Sequence, residues 1–290
     1  MKNWKWVALS CLTILFATLP VDAEAKTLTV AGSSTVRPIV DQAVKEFGKN
    51  HPDTKFIIGG GGSGHGVKSA GKGEVAIGMA SRAMKDSEKT EYPNVKPIKI
   101  AADGVGIVLH KKNPVTSLTE DQVRDIFTGK ITNWKEVGGN DAPVVLISTG
   151  SHHGTFGVFC KHFSLEGAEE KGTITFSSGD GAGSTSADAK SVDGNKKVLA
   201  AVMTKPDSIS YASLGIAMAL ADKGAPVKLI DLDDVTPTAE NVVSGEYKFQ
   251  RALFLLTDGE PEGEAETFID FILDTPGQQL IEAEGFIPVQ

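Results

Sequence analysis

The stretch from Thr27 to Lys49, TLTVAGSSTVRPIVDQAVKEFGK, constrains the fold more than any other. It opens with a short apolar run (Leu28, Val30), passes through Gly-Ser-Ser-Thr, and then places Val36, Ile39, Val40, Ala43, Val44 and Phe47 at a 3.6-residue period. That order is a strand, a tight turn and an amphipathic helix. Ser33, Ser34 and Thr35 fall where the helix starts. Unpaired backbone N–H groups and aligned peptide dipoles favour negative charge at such a start. A helix cap uses the same residue types, and one such turn is read as a cap. Repetition is what turns a cap into a candidate site.

The unit does repeat. Lys55–Gly59 has strand character and runs into a glycine tract ending at Gly66, with Ser63 just before the helical Val67–Ala70. No Gly-Lys-Ser/Thr follows in register, so the tract is not a nucleotide-binding loop. Val75–Met79 leads into Ala80-Ser81-Arg82. Pro143–Ser148 leads into Thr149-Gly-Ser-His-His-Gly-Thr155 and a helix from Phe156 to Phe163. Asp103 interrupts an apolar run from Ile98 to Leu109. A carboxylate there is costly unless something pairs with it, or unless Asp103-Gly104 makes a turn. Thr119 and Gln122 have capping-box spacing ahead of a helix carrying Val123, Ile126 and Phe127. The Gly/Ser-rich Ser177–Asp188 is expected to be a surface loop. Strands alternating with helices, with ligand-type turns after the strands, predict an α/β protein whose sites lie at the carboxyl ends of parallel strands.

A chain of 290 residues is long for one core and sufficient for two. Its formal net charge of −8 argues against a nucleic-acid partner, so an anion would have to be held by local geometry. Lys2 and Lys5 precede an apolar run from Trp6 to Leu19, with small residues around Ala23 and Ala25. Residues 1–25 are therefore expected to be a cleaved secretory leader. Its loss removes Lys2, Lys5, Asp22 and Glu24 together and leaves the charge at −8. Cys11 goes with it, so Cys160 remains as a single thiol with no partner for a disulfide.

Several motifs resemble the periplasmic phosphate-binding proteins of ABC importers. They are Ala31-Gly-Ser-Ser-Thr-Val-Arg-Pro38, Gly60-Gly-Gly-Ser-Gly64, Ile77-Gly-Met-Ala-Ser-Arg82 and Asp103-Gly104. Asp125-Ile-Phe-Thr-Gly-Lys-Ile-Thr-Asn-Trp134 is the most specific; Ile209-Ser-Tyr211, Arg251-Ala-Leu-Phe254, Phe268-Ile-Asp-Phe-Ile272 and Gly285-Phe-Ile-Pro288 follow in order. The resemblance implies a two-lobed type II periplasmic-binding-protein fold, each lobe a mixed sheet flanked by helices with the ligand cleft between them. It implies a first lobe of residues 26–105 and 255–290 and a second of residues 106–254. The implied function is capture of a tetrahedral oxyanion, phosphate, for a permease in the inner membrane, by a periplasmic monomer without a cofactor. The implied ligand positions are Ser34, Thr35, Ser63, Ser81, Arg82 and Asp103 in the first lobe, with Asp103 accepting a hydrogen bond from a protonated anion. In the second lobe they are Ser151, His152, His153, Gly154 and Thr155. Where the family has an arginine, this chain has Thr149, and two small positions have become His152 and His153. Arg82 is then expected to supply the main fixed positive charge, with an imidazolium from His152 or His153 in support.

Three other classes use some of the same residues. An oxyanion sensor for a membrane receptor would use the same lobes. A hydrolase would need Ser151 or Thr155 beside His152 or His153, yet the turn lacks nucleophile-elbow spacing, and no enzyme is expected. A metal site from His65, His152, His153 and Asp103 lacks any i, i+3 or i, i+4 ligand pair. Exposed loop histidines are the plain alternative.

Overall fold

The computed structural model describes residues 26–178 and 186–289; the expected leader, residues 1–25, lies outside them. The chain begins with β1 (Lys26–Gly32), α1 (Arg37–Phe47), β2 (Thr54–Gly61), α2 (Gly62–Gly71), β3 (Ile77–Ala80) and α3 (Asp86–Glu91). It crosses over through β4 (Val95–His110), followed by β5 (Ser117–Leu118), α4 (Glu120–Phe127), β6 (Val145–Thr149) and α5 (Gly154–His162). Next come β7 (Leu165–Glu170), β8 (Thr173–Ser178), β9 (Ser186–Val192), α6 (Gly194–Met203), β10 (Ser208–Ser213) and α7 (Leu214–Asp222). After β11 (Val227–Leu229), β12 (Asp231–Leu232) and α8 (Ala239–Ser244), the chain returns through β13 (Gln250–Asp258). It ends with α9 (Gly263–Leu273), α10 (Thr275–Ala283) and β14 (Ile287–Pro288).

The main sheet runs β2-β1-β3-β13-β4-β10-β6-β9-β8-β7. β1 is parallel to β2 and β3, as short strand–helix–strand units require. β13 lies antiparallel to both β3 and β4, and β10 antiparallel to β4. The 16-residue β4 serves two cores. Ile100 and Ala101 pack with Val30, Ile39, Phe47, Leu253 and Phe268. Val105, Ile107 and Leu109 pack with Phe127, Trp134, Phe159, Tyr211 and Phe249. The changeover falls between Ala101 and Val105 on β4, and between Phe249, just before β13, and Leu253 on it. Two lobes, each with its own core, thus share a pair of crossing strands.

The local expectations hold where sequence periodicity is strong. α1 buries Ile39, Val40, Ala43 and Phe47, and the Thr119–Gln122 capping box forms with both hydrogen bonds, at 3.1 and 2.9 Å. The turn before α1 is closed by Ser33, whose Oγ accepts from the N–H groups of Thr35 and Val36; the helix itself starts after Val36 without a side-chain cap. Asp103 sits inside β4 and begins no turn. The expected loop at Ser177–Asp188 is in part a hairpin, with Ser177 opposite Ser186 and Thr175 opposite Asp188; its middle, residues 179–185, lies outside the described residues. β7 (LEGAEE) gives no strand signal because only Leu165 is buried; it is an edge held by β8. Among the described residues no helix is long and apolar enough to cross a membrane.

Candidate functional site

The turns after the strands meet at one buried charge pair. Arg251 near the start of β13 stands opposite Asp103 on β4, and both side chains are 1% exposed. The guanidinium gives Nε and Nη2 to Asp103 Oδ2, at 3.1 and 2.9 Å. Its remaining donors fan out into hydroxyls. Nη1 reaches Thr155 Oγ1 at 2.7 Å and Ser81 Oγ at 3.4 Å, and Nη2 reaches Thr35 Oγ1 at 3.0 Å. Burial pushes the Asp103 carboxyl up, with Arg251 pulling it back down. Burial likewise pushes Arg251 down against Asp103, but a guanidinium keeps its proton through such shifts.

Five helix starts surround this pair. The turn before α1 supplies Thr35, and Gly32 lets it form: its φ is +134°, and a Cβ there would overlap Met79 O, which accepts from Ser33 N at 2.9 Å. α2 supplies Ser63, whose Oγ accepts from Ser81 N at 3.0 Å and lies 3.3 Å from Ser81 Oγ. α5 supplies Thr155. α6 supplies Asn195, whose amide donates to Thr35 Oγ1 at 2.8 Å while its carbonyl accepts from Ser213 N at 3.0 Å. α7 supplies Gly215 N, 3.4 Å from Asp103 Oδ1. The lobes touch closely here, since a Cβ on Gly154 would overlap Ser81 Oγ and Ser63 Oγ. Helix N-termini, neutral hydroxyls and one arginine make a set of preorganised donors suited to a tetrahedral anion.

Of the positions expected from sequence, Thr35, Ser63, Ser81, Asp103, Gly154 and Thr155 come together. Ser34 stands at the edge, next to Gly194. The others go elsewhere. Arg82 is bound to Glu88 at 2.6 and 2.7 Å, so the central positive charge is that of Arg251 and not of Arg82. Ser151 turns outward, its N–H and hydroxyl both on Glu169 Oε2. Thr149 ends β6 with a buried Oγ1 that makes no hydrogen bond among the described residues. His153 is buried with Nε2 2.8 Å from Asp193 Oδ1. Burial and the neighbouring His152 hold its imidazole below the usual value, with Asp193 opposing, which favours a neutral ring over the expected imidazolium. His65 lies against Ser69, so it and Asp103 form no metal set with the two histidines.

Asp103 Oδ2 is taken twice by Arg251 and Oδ1 lies 3.4 Å from Gly215 N, so the carboxylate orients the guanidinium in this structure. Two members of the cluster, Arg251 and Asn195, were missed as site residues. Arg251 has a sequence signal: it is a lone cation opening the apolar run Ala252–Leu256, the counterpart of Asp103 in its own run. Asn195 follows β9, whose first residues, Ser186–Asp188, fall in the stretch expected to be a loop.

Residues 18–275 match the family model of the PBP superfamily domain. A phosphate-binding protein PstS from Bacillus subtilis is 31% identical over 263 residues, covering 90% of this chain and 80% of the relative. The chain belongs to the PstS phosphate-binding protein family. Among solved structures, a Clostridium perfringens phosphate ABC transporter substrate-binding protein with bound phosphate is 33% identical, with a TM-score of 0.80 over 91% of this chain and all of that one. An ABC-type phosphate transport receptor from Vibrio cholerae is 29% identical, with a TM-score of 0.69 over 90% of this chain and 99% of that one. The fold of this PstS family member is that of the type II periplasmic binding proteins.

Proposed function

We propose that this chain is an extracytoplasmic solute-binding protein that holds one phosphate ion between its lobes and presents it to an ABC importer. The observation that carries the proposal is the buried Arg251, ringed by Thr35, Ser81 and Thr155 from both sides of the cleft. A guanidinium and several neutral donors suit phosphate oxygens, and an arriving anion takes over the bonds these groups now make with one another. Arg251 supplies the buried positive charge that Thr149 cannot. Arg251, Thr35, Ser81, Thr155 and Asn195 are the proposed ligand contacts, with Asp103 and Ser63 positioning them. The finer parts of the proposal are release into the periplasm by cleavage of residues 1–25, action as a monomer, and docking on an inner-membrane permease. Binding without turnover is the expected activity. Calorimetry with phosphate, arsenate, sulfate and molybdate tests it. One phosphate per chain is expected. No heat and no thermal shift with any of the four would refute it.

A further inference from the structure

Beside the anion cluster, the two histidines that set this chain apart from its family converge on one carboxylate oxygen. His153 Nε2 is 2.8 Å and His152 Nε2 3.8 Å from Asp193 Oδ1, and the three ligand atoms lie within 4.8 Å of one another. The imidazole centroids are 4.2 Å apart. His152 and His153 end the turn before α5, and Asp193 is the residue preceding α6. Two elements of one lobe therefore carry all three.

These are the wrong groups for an anion. Asp193 faces the rings, and Glu169 lies beside His152: a Cβ on Gly150 would be 2.7 Å from His152 Cε1 and 3.5 Å from Glu169 Oε1. Two carboxylates next to two imidazoles attract a cation. In a tetrahedral site with metal–ligand bonds near 2.1 Å, ligand atoms stand about 3.4 Å apart. The two recorded separations of 2.8 and 3.8 Å bracket that value. His152 is half exposed and free to adjust, whereas His153 is 4% exposed and fixed. Lys197 Nζ holds the other oxygen of Asp193, Oδ2, at 3.4 Å, which leaves Oδ1 for an ion. Mixed imidazole and carboxylate ligation suits zinc and nickel, not the hard, oxygen-seeking calcium or magnesium.

We infer that His152, His153 and Asp193 form a binding site for a divalent transition-metal cation, distinct from the anion cluster and open on its solvent side. The site lies on the seam between the lobes. Gly64 N of the first lobe donates to His152 O at 3.4 Å, and a Cβ on Gly194 would be 2.9 Å from Ser34 Oγ and 3.4 Å from His153 Cε1. A cation held there stabilises the arrangement in which Gly64 and Ser34 meet the second lobe. This inference is independent of which oxyanion the cleft takes.

The test is calorimetry of untagged, EDTA-treated protein with zinc chloride and, separately, nickel and magnesium chloride in phosphate-free buffer. One zinc or nickel ion per chain is expected, and no magnesium. His152→Gln and Asp193→Asn should each weaken zinc binding at least tenfold, since loss of even an outer-shell partner costs about that much. His152 is half exposed, so His152→Gln should melt with the parent in metal-free buffer, and Asp193→Asn keeps an oxygen to face His153 Nε2. No saturable zinc binding below about 100 μM would overturn the inference. So would zinc binding unchanged in both variants, which would place the ion at another histidine, such as His51 beside Glu264 or His162 beside Glu120.

Discussion

Replacing Arg251 by alanine should harm the protein in two separable ways. The parent satisfies a buried carboxylate with two guanidinium contacts at 3.1 and 2.9 Å. The variant leaves Asp103 buried with only Gly215 N and Ser213 as partners. Breaking a buried pair by removing one member costs about 3–5 kcal/mol. For a chain of this size that lowers the melting temperature by about 5–9 °C. The loss has a signed pH dependence. Burial already pushes the Asp103 carboxyl up, and without Arg251 it rises further above its unfolded value of about 3.9. A raised folded pKa contributes stability below the unfolded pKa that is lost as pH rises through the folded one. Urea denaturation should therefore show a small deficit near pH 4 and the full deficit near pH 8. Adding Asp103→Leu to Arg251→Met should restore part of the stability, because no charge is then stranded, while phosphate affinity stays at least about thirtyfold down. The reasoning fails if Arg251→Ala stays within about 1 kcal/mol of the parent at pH 8, or if the double variant is no more stable than the single.

Asp103→Asn should weaken phosphate and sulfate in the same proportion, because the carboxylate orients Arg251; a changed ratio by calorimetry would instead put Asp103 on the ligand. Gly154→Ala puts a methyl group against Ser81 and Ser63 Oγ, and should abolish phosphate binding and the accompanying compaction in small-angle scattering while changing the melting temperature little. Arg82→Ala removes a partly buried pair with Glu88 and should cost stability of about 1 kcal/mol, with phosphate affinity changed by less than about threefold. Burial pushes the Cys160 thiol up to about 12, so it should react with a chromogenic disulfide only after unfolding.

The sequence makes most of the site legible because its parts repeat. Thr35, Ser81 and Thr155 each follow an apolar run, and a hydroxyl after a strand is visible without knowing which strands are neighbours. Arg251 and Asp103 are different. Each is an isolated charge in an apolar strand, and two such charges of opposite sign imply one another. That they lie 148 positions apart hides the pairing. Asn195 is harder still. The strand before it, Ser186–Val192, alternates small and charged residues and owes its existence to pairing with β6 and β8, so no local pattern announces it. His152 and His153 stand out by type alone. Their orientation toward Asp193 depends on how α5 and α6 dock, which no window of sequence records.

The crossing of β4 and β13 carries one further consequence. In any rotation, points on the axis travel least and points far from it travel most. Arg251 and Asp103 face each other on the two strands that join the lobes, whereas Thr35, Ser63 and Ser81 belong to one lobe and Thr155 and Asn195 to the other. If the lobes part about those strands, the fixed charge stays in place while the hydroxyls swing out on either side. An arriving anion meets the arginine first and the neutral donors afterwards. Encounter and retention thereby fall to different residues: the association rate should track salt concentration and Arg251, and the dissociation rate should track the hydroxyls.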